Sequence, residues 1–190
     1  MKYYKKLVGK KCYLSPISVE DADQYCEWIN DAKVNKFMVF SSHQIGIVKE
    51  KTILEDMIKR GSQIFGIIDK EKDELIGNCS LFDIDHLNRK AEFGIFIGNK
   101  TYWGNGYGTE ATMLILDYGF NILNLNSIML RVYSYNKRGI SSYKKSGFKV
   151  IGCHREAKIL SGNKYDEIYM DILAGEFESV YIKKNMESEK

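Results

Sequence analysis

Between Ser18 and Lys59 the apolar residues mostly fall three and four apart, and from Gln63 they fall two apart. The first spacing lines one face of a helix, the second one face of a strand. Ala22, Tyr25, Cys26 and Ile29 predict a first helix, capped by Ser18, with Asp21 as its capping-box partner. Ile53, Leu54, Met57 and Ile58 predict a second helix over Lys49 to Lys59, stopped at Gly61. Ahead of these, alternation in Lys11 to Ser15 predicts a strand closed by Pro16, whereas residues 30–47 carry no clear pattern. Gln63 to Asp69, Glu74 to Asp83 and Ala91 to Gly98 predict three strands in an antiparallel meander, the first two joined by a turn at Lys70 to Asp73. A long helix from Thr109 to about Leu123 carries Ala111, Leu114, Ile115, Tyr118 and Ile122 on one face. A strand over Ser127 to Tyr133 follows, then a helix from Lys137 to Lys145 ended by Gly147. Strands over Val150 to Leu160 and Lys164 to Leu173 close a hairpin around Ser161-Gly162-Asn163. The order β-α-α-β-β-β-α-β-α-β-β is that of an α+β or mixed α/β domain.

Of the 190 residues, 44% are hydrophobic and 28% charged, enough for a packed core and one domain of ordinary size. A net charge of +3 gives no case for a nucleic-acid binder. Lys2, Lys5, Lys6, Lys10 and Lys11 cluster at the start, and a solvated terminus explains them more simply than a binding patch. Cys12, Cys26, Cys79 and Cys153 form no C-x-x-C pair and the three histidines are scattered, so no metal site is expected. No signal-peptide core and no apolar run of about 18 residues is present, which points to a cytoplasmic protein with reduced thiols and no membrane partner.

The chemistry-bearing stretch is YWGNGYGTEA, residues 102–111, directly before the long helix. A helix N-terminus carries unpaired amides and about half a positive charge, and glycines in front of it let an anion approach the backbone. A tight turn without a ligand is the alternative, but three alternating glycines exceed what a turn needs. A Walker loop fails because no lysine follows Gly108, and a dinucleotide loop fails because Thr109 stands where its third glycine belongs.

Taken together, EFGIFIG (92–98), the glycine loop, IMLRVYSYN (128–136) and NKRGISSYKKSGF (136–148) resemble the GNAT superfamily of acetyl-CoA-dependent N-acetyltransferases. The nearest group is the ribosomal-protein N-terminal acetyltransferase-like branch, with spermidine acetyltransferases beside it. The resemblance spans residues 8–176 as a single domain, leaving 1–7 and 177–190 as terminal extensions. It implies a mostly antiparallel twisted sheet with one splayed strand pair and helices on both faces. One departure is Trp103, three positions before Gly106, where the family often carries Gln or Arg.

By that resemblance the backbone of Gly104, Asn105, Gly106, Tyr107, Gly108 and Thr109 binds the pyrophosphate of acetyl-CoA. Pantetheine pairs with the strand edge at Ile95, Phe96 and Ile97, in the manner of an added strand. Asn136 binds pantetheine through its side chain, or caps the helix that follows. Tyr143 is the implied general acid for the departing thiolate. Glu92, acting through a water, is the candidate base; a solvent-facing strand charge is the alternative. A backbone amide of the splayed strand would polarise the thioester carbonyl.

The acceptor is less legible. The branch implies a protein N-terminal amine, while polyamines, aminoglycosides and amino sugars stay open. Glu20, Asp21, Asp23, Glu27 and Asp31 on the first helix, and Asp83, Asp85 and His86 before Glu92, either attract a cationic amine or form solvated faces. A non-catalytic coenzyme A sensor is the alternative of another class. Exposed sheet edges in such folds invite homodimers.

Overall fold

The computed structural model describes residues 2–38 and 44–182. Residues 39–43, inside the stretch without a pattern, and 183–190, the end of the expected C-terminal extension, lie outside the described residues. The strands are β1 (Leu7–Val8), β2 (Cys12–Pro16), β3 (Gln63–Asp69), β4 (Glu74–Asp85), β5 (Lys90–Ile97), β6 (Ser127–Tyr133), β7 (Lys149–Leu160) and β8 (Asn163–Leu173). The helices are α1 (Ala22–Asn30), α2 (Ala32–Asn35), α3 (Ile47–Lys59), α4 (Tyr107–Asn121) and α5 (Lys137–Lys145). This is the mixed α/β class expected from the alternation of periods.

The chain forms two compact units. One holds the chain up to Ser80 with Ile95–Ala111, and the other holds Leu81–Gly94 with everything from Thr112 onward. In the first unit the strand order is β1-β2-β3-β4-β5. β2 runs antiparallel to β3 from Cys12↔Asp69 to Pro16↔Phe65, so Pro16 is the last paired residue of its strand rather than a stop beyond it. β1 was not anticipated: its two residues pair Leu7 with Leu14 and Val8 with Tyr13, too short a run to show a period. The core of this unit gathers Tyr13, Tyr25, Trp28, Leu54, Ile68 and Leu75, with Phe96 and Trp103 packed against it. Each fully buried apolar side chain there contributes about 2 kcal/mol from leaving water.

Ser18 does cap, but it caps a 3-10 turn over Val19–Asp21 that precedes α1, accepting from the Glu20 amide. Asp21 therefore closes no capping box. It is buried, accepts from the Tyr3 hydroxyl at 2.9 Å and pairs with Lys2 at 2.6 Å. On α3 only Leu54 and Glu50 are buried, and Ile58, expected on the apolar face, is exposed.

In the second unit the order is β4-β5-β6-β8-β7. β6 and β8 pair antiparallel from Ser127↔Leu173 to Tyr133↔Glu167. β7 and β8 form the expected hairpin, closed at Leu160↔Asn163 by Ser161 and Gly162, both at positive φ. β5 and β6 are parallel and pair only through Lys90↔Ser127, Ala91↔Ile128 and Glu92↔Met129, though β5 continues to Ile97 and β6 to Tyr133. The long helix departs from the expected single face. Leu114, Ile115, Leu116, Asp117, Tyr118 and Phe120 are all buried, whereas Ile122 lies past the helix end and is exposed. Asp117 is fully buried because its carboxylate accepts from Asn121 Nδ2, Ser179 Oγ and the amides of Tyr181 and Ile182, at 2.7 to 3.0 Å.

Candidate active site

The glycine loop belongs to the first unit. A 3-10 turn over Lys100–Tyr102, capped by Asn99, leads into it. Gly104 and Gly106 take φ of +80° and +88°, the left-handed region that side chains disfavour, and this double bend turns the chain into α4. The Gly106 carbonyl accepts from the Glu110 amide at 3.0 Å, so α4 begins at Tyr107, two residues earlier than expected. Gly108 and Thr109 are thus part of the first helical turn, whose amides form the positive end of the helix dipole.

Hydrogen bonds fix the loop. Asn105 Nδ2 donates to the Thr101 carbonyl at 3.1 Å, and Lys11 Nζ donates to the Asn105 carbonyl at 2.8 Å. Glu110 Oε1 accepts from the Lys11 and Cys12 amides at 2.8 and 3.3 Å. The hydroxyls of Tyr107 and Tyr102 donate to the buried Asp69 at 2.9 and 3.3 Å, with the rings edge-on 5.0 Å apart. Burial, then the bond to Asp69, pushes the Tyr107 phenol up to about 12, so it remains a donor at neutral pH. Trp103 serves the scaffold: its indole donates to the Ile97 carbonyl at 2.7 Å and its ring packs on the core. Phe96 is engaged too, edge-on to Tyr25 and Trp28 at 6.2 and 6.1 Å.

The same unit holds a cleft of about 220 Å³ lined by Gln24, Glu27, Trp28, Asp31, Gly98, Asn99 and Lys100. Glu27 accepts from Gln24 Nε2 at 3.0 Å, and Asp31 pairs with Lys100 and caps α2 through the Lys33 amide. Of the five acidic residues expected on the first helix, Glu27 and Asp31 line this cleft, whereas Asp21 is turned inward to Lys2 and Tyr3.

The other predicted side chains belong to the second unit. Glu92 is half-buried, and its Oε1 accepts from Arg131 Nε at 2.7 Å. The pair follows from register: Glu92 faces Met129 in the parallel ladder, and Arg131 is two residues further on the same strand face. Sequence reading missed Arg131, although a lone charge inside IMLRVYSYN was a visible signal. Asn136 is the N-cap of α5, its Oδ1 accepting from the Gly139 amide at 3.0 Å. Tyr143 is half-buried, edge-on to Phe93 at 6.2 Å and to Phe148 at 6.1 Å, and burial pushes its phenol up to about 12. Phe93 and Glu92 are consecutive on β5 and so point to opposite faces. Tyr143, packed on Phe93, therefore meets this strand from the face away from the Glu92 carboxylate. Asp85 accepts from the backbone and side chain of Asn88, at 2.8 and 2.7 Å, and shapes the turn before β5.

Among the described residues no group of three metal-ligating side chains occurs, and no helix is long and apolar enough to cross a membrane. Residues 11–149 match the family model described as the acetyltransferase (GNAT) domain. The chain is 31% identical over 179 residues to an uncharacterized N-acetyltransferase p20 of Bacillus licheniformis, spanning 90% of this chain and 97% of that one. It is 30% identical over 164 residues to the spermidine N(1)-acetyltransferase of Escherichia coli strain K12, spanning 86% and 87%. The crystal structure of spermidine N-acetyltransferase from Vibrio cholerae, in complex with CoA and spermine, superposes with a TM-score of 0.80. Its identity is 24%, over 88% of this chain and 98% of that one.

Proposed function

Because the chain belongs to the GNAT acetyltransferase family, and so is an N-acetyltransferase that draws on acetyl-CoA, we propose that its acceptor is a small cationic primary amine of the polyamine class. The observation that carries this is the cleft lined by Glu27 and Asp31: Lys100 balances Asp31, whereas Glu27 is bonded to the neutral Gln24 and leaves the cleft a negative charge for a cation. The relationship to a spermidine N(1)-acetyltransferase supports the same class. The four free thiols are in keeping with a cytoplasmic enzyme.

In this reading the diphosphate of acetyl-CoA lies on the backbone of Gly104 to Thr109. The positive φ at two glycines and the helix end suit a diphosphate without any change of residue. Pantetheine is assigned to the edge of Ile95, Phe96 and Ile97, and the Asn136 side chain, whose Oδ1 caps α5, is proposed to bind it. A primary amine with a pKa near 10.4 is neutral in only about one molecule in 10³ at pH 7.4. Glu92, oriented by Arg131, takes the ammonium proton through a water, and the amine nitrogen then forms its bond to the carbonyl carbon. As the C–S bond breaks, the electron pair leaves with sulfur, Tyr143 meets the thiolate from the other strand face, and the second proton shed by the acylated nitrogen passes through solvent to the thiolate.

Thiol release with acetyl-CoA and a panel of spermidine, an N-terminal peptide, an aminoglycoside and an amino sugar tests the acceptor. Spermidine should be turned over, with kcat/KM falling as salt rises. Glu27→Gln should raise its KM about tenfold and leave coenzyme A affinity unchanged. Turnover of the peptide alone would restore the protein N-terminus as acceptor. Coenzyme A binding with no thiol release from any amine would favour the sensor. Glu92→Gln should lower kcat/KM about 10²-fold at pH 7.5 and much less at pH 9.5, where the free amine is abundant. An equal loss at both pH values would remove Glu92 from the proton transfer.

A further inference from the structure

The lysine cluster at the start of the chain is not uniform: one of its members reaches the glycine loop. Lys11 is solvent-exposed, yet its Nζ is 2.8 Å from the Asn105 carbonyl and 5.7 Å from the centre of the Tyr107 ring. It is also 3.9 Å from the place a Cβ on Gly106 would occupy. The cation thus sits over the bend that leads into α4.

Two separate contacts hold it there. The Lys11 amide donates to Glu110 Oε1 at 2.8 Å, tying its backbone to the first turns of α4, and the ammonium then ties the side chain to the loop. A side chain fixed at both ends loses less entropy when a ligand arrives.

The charges around the bend call for such a cation. Glu110 places a carboxylate near the start of the helix, where it opposes an incoming anion, and Asp69 adds a second beneath Tyr102 and Tyr107. The helix end supplies only about half a positive charge. Lys70 and Lys72 are nearby, but Lys70 Nζ is bonded to the Gly9 carbonyl at 3.1 Å and Lys72 lies over the Tyr102 ring. Lys11 alone among them is hydrogen-bonded to the Gly104–Gly106 bend, and an ammonium with one donor on Asn105 keeps two more to give.

Resting on the reading of this loop as the diphosphate site, we propose that Lys11 is a side-chain component of that site: its ammonium binds the diphosphate of acetyl-CoA from the β2 side while the first turn of α4 binds it through the backbone. Lys11 stands in no catalytic role, because it meets the nucleotide end of the donor and not the thioester.

Calorimetry with coenzyme A and with pantetheine, which has the same thiol arm but no phosphates, repeated over a range of salt, separates this from a loop tether. Lys11→Met keeps the aliphatic stem and should weaken coenzyme A binding about tenfold while pantetheine binding is unchanged. Lys11→Arg should hold most of the affinity. The KM for acetyl-CoA should rise in Lys11→Met with kcat nearly constant, because the contact is the same in ground and transition states. Log Kd against log salt should be shallower than in the parent. A loss for coenzyme A with the salt slope of the parent would make Lys11 a structural tether, and no loss for coenzyme A would remove it from the site; either overturns the proposal. If the parent chain binds coenzyme A no more tightly than pantetheine, the diphosphate reading of the loop falls as well. A matching thermal midpoint for parent and variants establishes that folding is intact.

Discussion

Replacing Tyr143 by phenylalanine is expected to lower kcat by about 10²-fold, near the bottom of the 10²–10⁴ range of proton-transfer groups. The ring stays, so its edge contacts with Phe93 and Phe148 persist and the fold should not suffer. What is lost is the one donor that the proposed mechanism offers to sulfur. Burial pushes the phenol up to about 12, so it keeps its proton throughout the physiological range. A thiol has a pKa near 8.5, so passing the proton fully from Tyr143 to the thiolate is uphill by roughly 5 kcal/mol. In the proposed mechanism Tyr143 therefore stabilises the developing thiolate as a hydrogen-bond donor, and the proton that finally reaches sulfur is the one shed by the acylated nitrogen through solvent. The sign of the shift sets the pH behaviour: the donor form is complete below pH 10 and is lost only as pH rises through 12, so Tyr143 gives no alkaline limb between pH 7 and 10. Steady-state kinetics of the variant over that range is the check. Turnover equal to the parent would exclude Tyr143 from the chemistry.

The largest loss of stability is expected from Gly77→Ala. A Cβ on Gly77 would lie 2.2 Å from the Phe96 carbonyl oxygen and 2.9 Å from the Ile97 Cα. Both are backbone atoms, so no rotamer change relieves the clash and β4 must separate from the end of β5. Overpacking costs about 1–3 kcal/mol and more where the neighbours cannot move. At about 3 kcal/mol the thermal midpoint of a chain this size falls by roughly 6–12 °C. Gly152→Ala is the control: nothing lies within 4 Å of its Cβ, and it should stay within about 0.5 kcal/mol of the parent. Ile95 to Ile97 is the strand edge assigned to pantetheine, so Gly77→Ala should also raise the KM for acetyl-CoA. A midpoint within about 2 °C of the parent would show that β4 can yield at Gly77.

Elements with a strong local period were readable from the chain alone. β3 and β6 keep their predicted limits, α5 spans Lys137–Lys145 as expected, and the hairpin of β7 and β8 turns where Ser161 and Gly162 allow positive φ. The errors lie where neighbours outweigh local pattern. β1 is two residues long and exists because Leu14 and Tyr13 offer it an edge. Ser18 caps a 3-10 turn, because Asp21 is drawn inward by Tyr3 and Lys2 from the start of the chain. α4 was read as one-faced, but it is buried nearly all round from Leu114 to Phe120, Asp117 included.

The site divides in the same way. Gly104, Gly106 and a helix immediately after them are written in the sequence, because only glycine adopts that backbone without strain and the apolar run behind it forms a helix on its own periodicity. The residue types proposed as thiolate donor and base, at 143 and 92, and the cap at 136 are written there too. What each of them touches is not. Arg131 reaches Glu92 because a parallel register brings together strands 39 residues apart, Asp69 takes both tyrosine hydroxyls because β3 ends beside α4, and Lys11 meets Asn105 across 94 residues. Such pairings depend on which long-range contacts form, and a local pattern of polar and apolar residues carries no record of them.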